Sequence, residues 1–376
     1  MFKPKIVILS IALRPNVGGV ETHLTDLTNE IKQKYQVLVV TLPPISTMVN
    51  AKITERDGNL LIWRVPWFGK NLFHKLLNFP FLEFLYLTPP LFVGLFLALL
   101  KYPSIQVIHA QGFSGGFTSI ILGKLFGKRI LISTAYVFHF KRDFFGKVAK
   151  WVFGSADRVL CVSEASTEEM KKLEIAKEKL GKCLYWVDLD IFKPTDKQTA
   201  KKKVAWTNKF SILFIGRLVR EKGVFELLEA IKLVPKEINF YIIGDGILNK
   251  DVEQAVKSYS NLHFLGKVHN ELTPIYYSAA DLVIVPSYEE TLGRVNMEAL
   301  ACSTPVIGSS TGGLKEVVSK DVGLLFKVEP LDIAKTIVRL YEDKVLYERF
   351  RKNARAHIQK HFSNKNFEVF IKEYAI

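Results

Sequence analysis

The chain has 376 residues, 48% of them hydrophobic and 24% charged, with Gly and Pro at ordinary levels. This composition is globular and excludes a disordered, collagen-like or low-complexity chain; at about 150 residues per domain, the length excludes a single small module and argues for two domains. Lysine plus arginine (52) exceeds aspartate plus glutamate (37), a net charge of +15 split as +9 before residue 191 and +6 after it, so the expected partners are anionic: phosphate esters, acidic lipid or nucleic acid.

In chain order, short β-branched runs alternate with amphipathic stretches. Residues 5–10, 36–41, 106–109, 129–133 and 158–162 read as strands, and Val20, Leu24, Leu27 and Ile31 fall at helical spacing after the first of them. Lys3 and Lys5 before an apolar run imitate a signal peptide, but the run is brief, Arg14-Pro15 follows and no small-residue cleavage site is present, so a buried first strand is expected. Residues 84–100 are 17 positions without a charge, split by Pro89-Pro90, and the longer part falls short of the ~20 residues of a spanning helix. Two readings stand for this stretch: a core helix from Leu91 to Leu100 under a sheet, or an interfacial surface. The second draws on Trp63, Trp67, Phe68, Phe73, Phe79, Phe81 and Phe84 upstream. Downstream it draws on Lys124, Lys128, Arg129, Lys141, Arg142, Lys147 and Lys150, which face a single acid, Asp143. Aromatic and cationic side chains together suit an anionic leaflet.

A polar, lysine-rich stretch at 190–209, with Pro194 and Lys201-Lys202-Lys203, breaks the alternation and is expected to be a boundary that faces no core. Beyond it the pattern restarts, with strands at 211–215, 239–243, 262–265, 282–285 and 305–308 and helices at 224–234, 250–257 and 294–302. Repetition of strand, turn and helix implies parallel sheets covered on both faces. The expected fold is α/β, with two Rossmann-like doubly wound domains at 1–190 and 191–363. Ligands of such sheets bind beyond the carboxyl ends of the strands and in the cleft between facing units. Cys161, Cys183 and Cys302 are odd in number, without any CxxC, which supports neither a disulfide framework nor a zinc site and fits the reducing cytoplasm.

Three segments carry chemistry. Asn16-Val17-Gly18-Gly19-Val20 joins the first strand to the first helix, where adjacent glycines let backbone approach a ligand; a plain tight turn is the other reading. Residues 216–223 place Arg217, Arg220 and Lys222 between a strand end and a helix N-terminus, a setting suited to a diphosphate: Arg217 offers a planar fork, Lys222 a point charge, and the helix dipole adds to both. Residues 286–301 hold Glu290 in the turn after a buried strand and Glu298 inside the following helix. A carboxylate accepts paired hydroxyl hydrogen bonds, so each suits a sugar or ribose, and the backbone donors of Thr291, Leu292, Gly293, Arg294 and Val295 between them suit a phosphate.

Glu290-x7-Glu298, followed by Ala299 to Ile307 and by Gly312-Gly313-Leu314-Lys315-Glu316, resembles the GT-B glycosyltransferases of family 4, the retaining group with an E-x7-E signature. Gly18-Gly19-Val20-Glu21, Ala156-Asp157-Arg158 running to Val162-Ser163, Val187-Asp188, Gly216-Arg217 to Lys222-Gly223, Gly244-Asp245-Gly246 and Tyr277-Ala279-Ala280-Asp281 extend the likeness over most of the chain. The resemblance implies a nucleotide-sugar donor held by the second domain and an acceptor received by the first, with the last helix, 364–376, returning to the first domain. In that frame Arg217 and Lys222 neutralise the departing diphosphate, Glu290 holds sugar hydroxyls and Glu298 the ribose. Leu292 to Val295, with Gly18 and Gly19, close on phosphate and sugar, and Lys267-Val268 lie near the base. Retention of anomeric configuration is expected, with no cofactor and no metal ion; the nucleotide sugar is a substrate.

The chain departs from the family at Thr134-Ala135-Tyr136, where many relatives carry Thr-x-His, and at Gln111, where some have a second histidine near His109. Tyr136 and His139 are carried as acceptor-side candidates. His109 is carried as a catalytic candidate, with a core histidine as the alternative. Asp188-Leu189-Asp190 imitates a DxD metal motif but falls in the interdomain match and reads as structure. The Gly18 to His23 run, His109-Ala110-Gln111 and the aromatic region look most like lipid-acceptor members, including the phosphatidylinositol N-acetylglucosaminyl branch. The expected activity is transfer of a hexosyl or N-acetylhexosaminyl group from a UDP- or GDP-sugar to a lipid-linked or glycan acceptor, in the cytoplasm and at the inner membrane surface if the interfacial reading holds. A nucleotide-sugar isomerase or hydrolase on the same fold is the rival, as is a catalytically silent binding module. Nucleic acid is not expected, because no RNP-like interleaving of aromatics and cations occurs.

Overall fold

The computed structural model describes residues 2–11, 13–16, 18–44, 49–69, 72–76, 79–134, 140 and 143–375. The chain forms two compact units, Met1–Leu184 with Phe367–Ile376, and Tyr185–Asn366. The sequence placed the break at 190; it lies six residues earlier because the intervening segment is bonded to the second unit. The Val187 N–H donates to Phe362 O at 3.0 Å, and the Arg355 guanidinium donates to the carbonyls of Leu189 and Phe192 at 3.0 and 2.8 Å.

Unit 1 is built on eight strands: β1 (Ile6–Leu9), β2 (Val37–Thr41), β3 (Thr54–Asp57), β4 (Leu60–Arg64), β5 (Val107–Gln111), β6 (Arg129–Thr134), β7 (Arg158–Cys161) and β8 (Leu180–Lys182). They lie in the order β3-β4-β2-β1-β5-β6-β7-β8, parallel except for the antiparallel edge strand β3. The helices are α1 (Gly19–Ile31), α2 (Leu72–Leu76), α3 (Pro80–Lys101), α4 (Gly112–Leu125), α5 (Phe144–Ser155) and α6 (Glu164–Lys172), with a terminal helix at Phe367–Tyr374. The central strands are buried at every position because both faces are covered.

α3 runs unbroken through Pro89 and Pro90, where the sequence had suggested a split. Each proline removes an intrahelical bond, a cost of about 3 kcal/mol or more. Burial on both sides of the pair offsets that cost: Leu87, Leu91, Leu95 and Ala98 pack against Leu38, Val40 and Ile108 of the sheet. Among the described residues α3 is the one helix long and apolar enough to cross a membrane, and half of its apolar window is buried in the protein.

Unit 2 holds a six-stranded parallel sheet: β9 (Ser211–Ile215), β10 (Asn239–Ile243), β11 (Leu262–Gly266), β12 (Leu282–Val285), β13 (Val306–Ser309) and β14 (Gly323–Phe326), in the order β11-β10-β9-β12-β13-β14. Its helices are α7 (Lys197–Lys203), α8 (Val224–Ile231), α9 (Asn249–Ser258), α10 (Thr273–Ala279), α11 (Arg294–Ala301), α12 (Leu314–Val317), α13 (Pro330–Glu342) and α14 (Lys344–His361).

The lysine-rich stretch read as facing no core is α7, and it packs on unit 2 through an ion-pair network. Asp281, at the foot of β12, accepts from Lys197 Nζ at 2.7 Å, Lys201 Nζ at 2.8 Å and the Ser211 N–H at 2.9 Å. The Lys201 side chain is only 4% exposed. Burial alone would raise the Asp281 carboxyl, but the two ammonium groups outweigh it and hold it below the ordinary carboxylate value. Burial, ahead of the pull of Asp281, holds Lys197 below the usual lysine range. A composition that reads as solvated linker is tolerated here because one buried carboxylate gathers the charge.

Candidate active site

In unit 2 the chain proceeds from β9 outward to β10 and β11, then returns to the other side of β9 for β12, β13 and β14. The sheet therefore has a topological switch point between β9 and β12, beyond whose carboxyl ends doubly wound folds bind ligands. The two turns that emerge there are the two segments singled out by sequence.

The β9 turn carries Gly216 to Gly223. The Leu218 N–H donates to Asp245 O at 2.9 Å and the Leu248 N–H to Leu218 O at 3.0 Å, so the Gly244-Asp245-Gly246 turn after β10 braces it. Gly223 adopts φ 67°, and a Cβ there would collide with Pro286 O at the end of β12; only glycine lets the two turns approach. The Tyr288 N–H donates to Glu221 O at 2.9 Å across the same junction.

The contact brings Lys222 and Glu290 together as an ion pair, Nζ to Oε2, with side chains 22% and 19% exposed. The Gly313 N–H donates to Glu290 O at 3.0 Å, which fixes the glutamate backbone from the β13 turn. The Arg217 side chain is exposed on the β9 turn and makes no hydrogen bond or ion pair with any described residue. Of the two candidate cations, one is committed to a carboxylate and the other is free.

α11 starts at Gly293, whose φ of 73° places it in the left-handed region; a Cβ would press on Asn296 Nδ2 and lie 3.0 Å from Glu290 Cγ. No side chain caps this helix at Gly293, and the Asn296 N–H in its first turn donates back to Gly293 O at 3.0 Å. Leu292 and Gly293 are buried, Thr291 and Val295 half-buried. One turn into the helix, Glu298 Oε1 accepts from Arg294 Nε at 3.0 Å and Oε2 from the Tyr277 hydroxyl at 2.8 Å. Tyr277 is fully buried, and burial, with the charge of Glu298 behind it, pushes its phenol well above the ordinary value. The hydroxyl therefore stays a donor that orients Glu298. Sequence reading missed both partners: Arg294 entered only for its backbone, although its i,i+4 spacing to Glu298 was visible, and Tyr277 only as part of a block.

Lys267 and Val268 follow β11, an edge strand two positions from β9 and so ~10 Å away across the sheet. Lys267 is exposed, and no described hydrogen bond or ion pair joins it to the Lys222–Glu290 cluster.

In unit 1, Gly18 is the N-cap residue of α1, without a side-chain cap, and lies at that sheet's own switch point between β1 and β5. The preceding loop is tied to β4 by Arg64, 2% exposed, which donates to Arg14 O at 2.8 Å and pairs with Glu55 at 2.7 Å. His109, carried as a catalytic candidate with a core histidine as the alternative, lies on β5 inside unit 1. It is fully buried, with Nδ1 2.5 Å from the Tyr374 hydroxyl and Nε2 2.7 Å from Ser133 Oγ. Burial drives its pKa down to about 3, so it is neutral and ties β5 to the terminal helix. Tyr136 and His139 lie outside the described residues. The Asp188 carboxylate accepts the N–H groups of Asp190 and Ile191 at 2.9 and 3.1 Å, closing its own turn. Among the described residues no three His, Cys, Asp or Glu side chains group as a metal-ligand set.

Comparison with known proteins identifies the family. The Glycosyltransferase Family 4 pattern matches residues 17–181, and the Glycosyl transferases group 1 pattern matches residues 196–357. The sucrose-phosphate synthase of Thermosynechococcus elongatus superposes over 98% of this chain and 97% of its own, with a TM-score of 0.83 at 22% identity. The chain belongs to the GT-B glycosyltransferases. An uncharacterized glycosyltransferase of Methanocaldococcus jannaschii is 26% identical over the whole of this chain and 98% of its own length. The phosphatidylinositol N-acetylglucosaminyltransferase GPI3 subunit of Saccharomyces cerevisiae is 24% identical over 84% of this glycosyltransferase and 70% of its own chain. Anabaena HepE, solved in complex with UDP, has a TM-score of 0.77 at 21% identity, covering 98% of both chains.

Proposed function

We propose that this glycosyltransferase is a retaining enzyme that moves a hexosyl or N-acetylhexosaminyl group from a UDP- or GDP-sugar to a lipid-linked or glycan acceptor. The observation that carries the reading is the convergence of Lys222, Glu290 and the free Arg217 at the switch point of unit 2. Arg217 and Lys222 stabilise the departing diphosphate, Glu290 accepts donor-sugar hydroxyls, and Glu298, aimed by Tyr277 and Arg294, accepts the ribose hydroxyls. The N–H groups of residues 292–295 receive phosphate oxygens, and Lys267-Val268 flank the base. In unit 1 the Gly18-Gly19 turn offers backbone donors to an anion at the start of α1.

The reaction breaks the bond from the anomeric carbon to the diphosphate and forms one to the acceptor oxygen on the same face. The proton of the acceptor hydroxyl passes to the leaving diphosphate. Charge develops on that diphosphate, so preorganised cations dominate catalysis; a contribution of ~3 kcal/mol from Arg217 corresponds to about a hundredfold in rate. The two carboxylates are ligands in this scheme and not a hydrolase pair.

A lipid-linked acceptor is supported by the activity for which the Saccharomyces relative is named and by the apolar surface of α3, and a UDP donor by the HepE complex. The acceptor reading places the enzyme in peripheral contact with an anionic membrane, on its cytoplasmic side. Three free, buried cysteines among the described residues are consistent with a reducing compartment. The test is incubation with UDP- and GDP-sugars, with and without membrane lipid extract. Acceptor-dependent release of nucleoside diphosphate and a product of unchanged anomeric configuration are expected. A rearranged donor, an inverted product, or binding without turnover each contradicts the proposal.

A further inference from the structure

The inner face of α3 is consumed by the core, but its outer face is not. Leu82, Leu85, Val93, Leu97 and Leu100 recur at helical spacing on the side away from the sheet, and each remains 43–56% exposed. Contiguous apolar surface of this kind is uncommon on a soluble chain unless something covers it. It continues onto the neighbouring helices. Phe84 of α3 meets Phe117 of α4 at 5.1 Å, Phe117 meets Trp151 of α5 at 5.9 Å, and Leu125 and Phe144 stand 71% and 75% exposed.

Charge says what the cover is. Lys101, Lys124, Lys147 and Lys150 are exposed on α3, α4 and α5, while the one acidic residue within these helices is Glu83, whose carboxyl is pushed up by burial. Lys150 spends its charge on Glu174, and the Asp143 carboxylate caps α5 through the Gly146 N–H. A second copy of this face would set lysine against lysine. An anionic headgroup layer over acyl chains matches both the cations and the apolar side chains, since lysines reach the phosphate level while their stems cover apolar surface.

We infer that the outward face of α3, with the adjoining turns of α4 and α5, seats the enzyme on an anionic lipid bilayer. Val93 and Leu97 enter the acyl boundary, and Lys101, Lys124 and Lys147 contact headgroups. The inference deepens the lipid-acceptor reading and rests on it for its purpose, whereas its test reads binding without turnover.

Flotation of the full chain with phosphatidylcholine vesicles, and with vesicles in which a third of the lipid is phosphatidylglycerol, measures the contact. Binding is expected to the anionic vesicles, weakened by high salt. Val93→Ser with Leu97→Ser, both exposed positions, should keep the wild-type melting temperature and lower vesicle affinity by roughly a hundredfold or more. Lys124→Gln with Lys147→Gln should lower it by roughly thirtyfold. Absence of flotation overturns the inference, as does flotation indifferent to both variants, or a wild-type dimer in sedimentation that the apolar variant dissociates. If flotation fails while nucleoside diphosphate release onto a water-soluble acceptor persists, the surface assignment falls and the transferase reading stands.

Discussion

Replacing Lys222 by Met keeps the length of the side chain and removes the charge that faces Glu290. Two opposite charges 4 Å apart at an effective dielectric of ~20 attract by about 4 kcal/mol. About a fifth of each side chain is exposed, so desolvation and lost rotamer freedom take back much of that. A net coupling of about 1–2 kcal/mol remains, above the exposed-pair range and below the loss on breaking a fully buried pair. For a domain of this size 1 kcal/mol moves the midpoint by about 2–4 °C, so Lys222→Met should melt roughly 3–6 °C lower. The measurement is a double-mutant cycle of Lys222→Met, Glu290→Gln and the pair, read by thermal melting. With saturating nucleoside diphosphate the coupling should shrink, because the phosphate competes with Glu290 for the same ammonium. A coupling below about 0.3 kcal/mol in the free enzyme, within the scatter of independent sites, refutes the argument that the pair preassembles the site.

Other consequences follow from named contacts. Asp281→Ala leaves Lys201 buried without its carboxylate and should cost about 3–5 kcal/mol, read by urea unfolding; a loss under 1 kcal/mol contradicts the network. Tyr277→Phe removes the hydroxyl donor to Glu298 and should raise the donor KM several-fold with little change in kcat, as measured by steady-state kinetics. His109 has its folded pKa depressed to about 3 against an unfolded value near 6.5, so the unfolded chain binds the extra proton between those limits and stability falls as pH drops through that window. His109→Asn should therefore flatten the acid limb of the stability curve by about 1.4 kcal/mol per pH unit, in denaturation series from pH 6.5 to 4. It should also leave no missing ionisation in the pH–rate profile.

Both doubly wound sheets were legible in the sequence, because buried parallel strands are continuous β-branched runs such as Val37–Thr41 and Leu282–Val285 and helical spacing follows them. What was hidden depends on tertiary partners. β3 is polar and exposed at three of its four positions, and it pairs along the edge that β4 offers. α7 reads as solvated until Asp281 is placed beside it, and α3 reads as broken until the sheet beneath it outweighs two prolines. In the site, residue types announced the β9 and β12 turns, but that Lys222 is spent on Glu290 while Arg217 is free is a matter of side-chain geometry. So is the assignment of His109 to the core, since a strand-end histidine is equally compatible with a cleft until Tyr374 arrives from the far end of the chain.

Calorimetric titration of UDP and GDP into the wild-type enzyme and into Arg217→Ala probes the diphosphate pocket at the switch point of unit 2 most directly. One nucleotide should bind the wild type with a defined stoichiometry of one, and the variant, unchanged in melting temperature because no described residue pairs with the Arg217 side chain, should bind it at least tenfold more weakly. Failure of both nucleotides to bind, or equal affinity for the two proteins, contradicts the account.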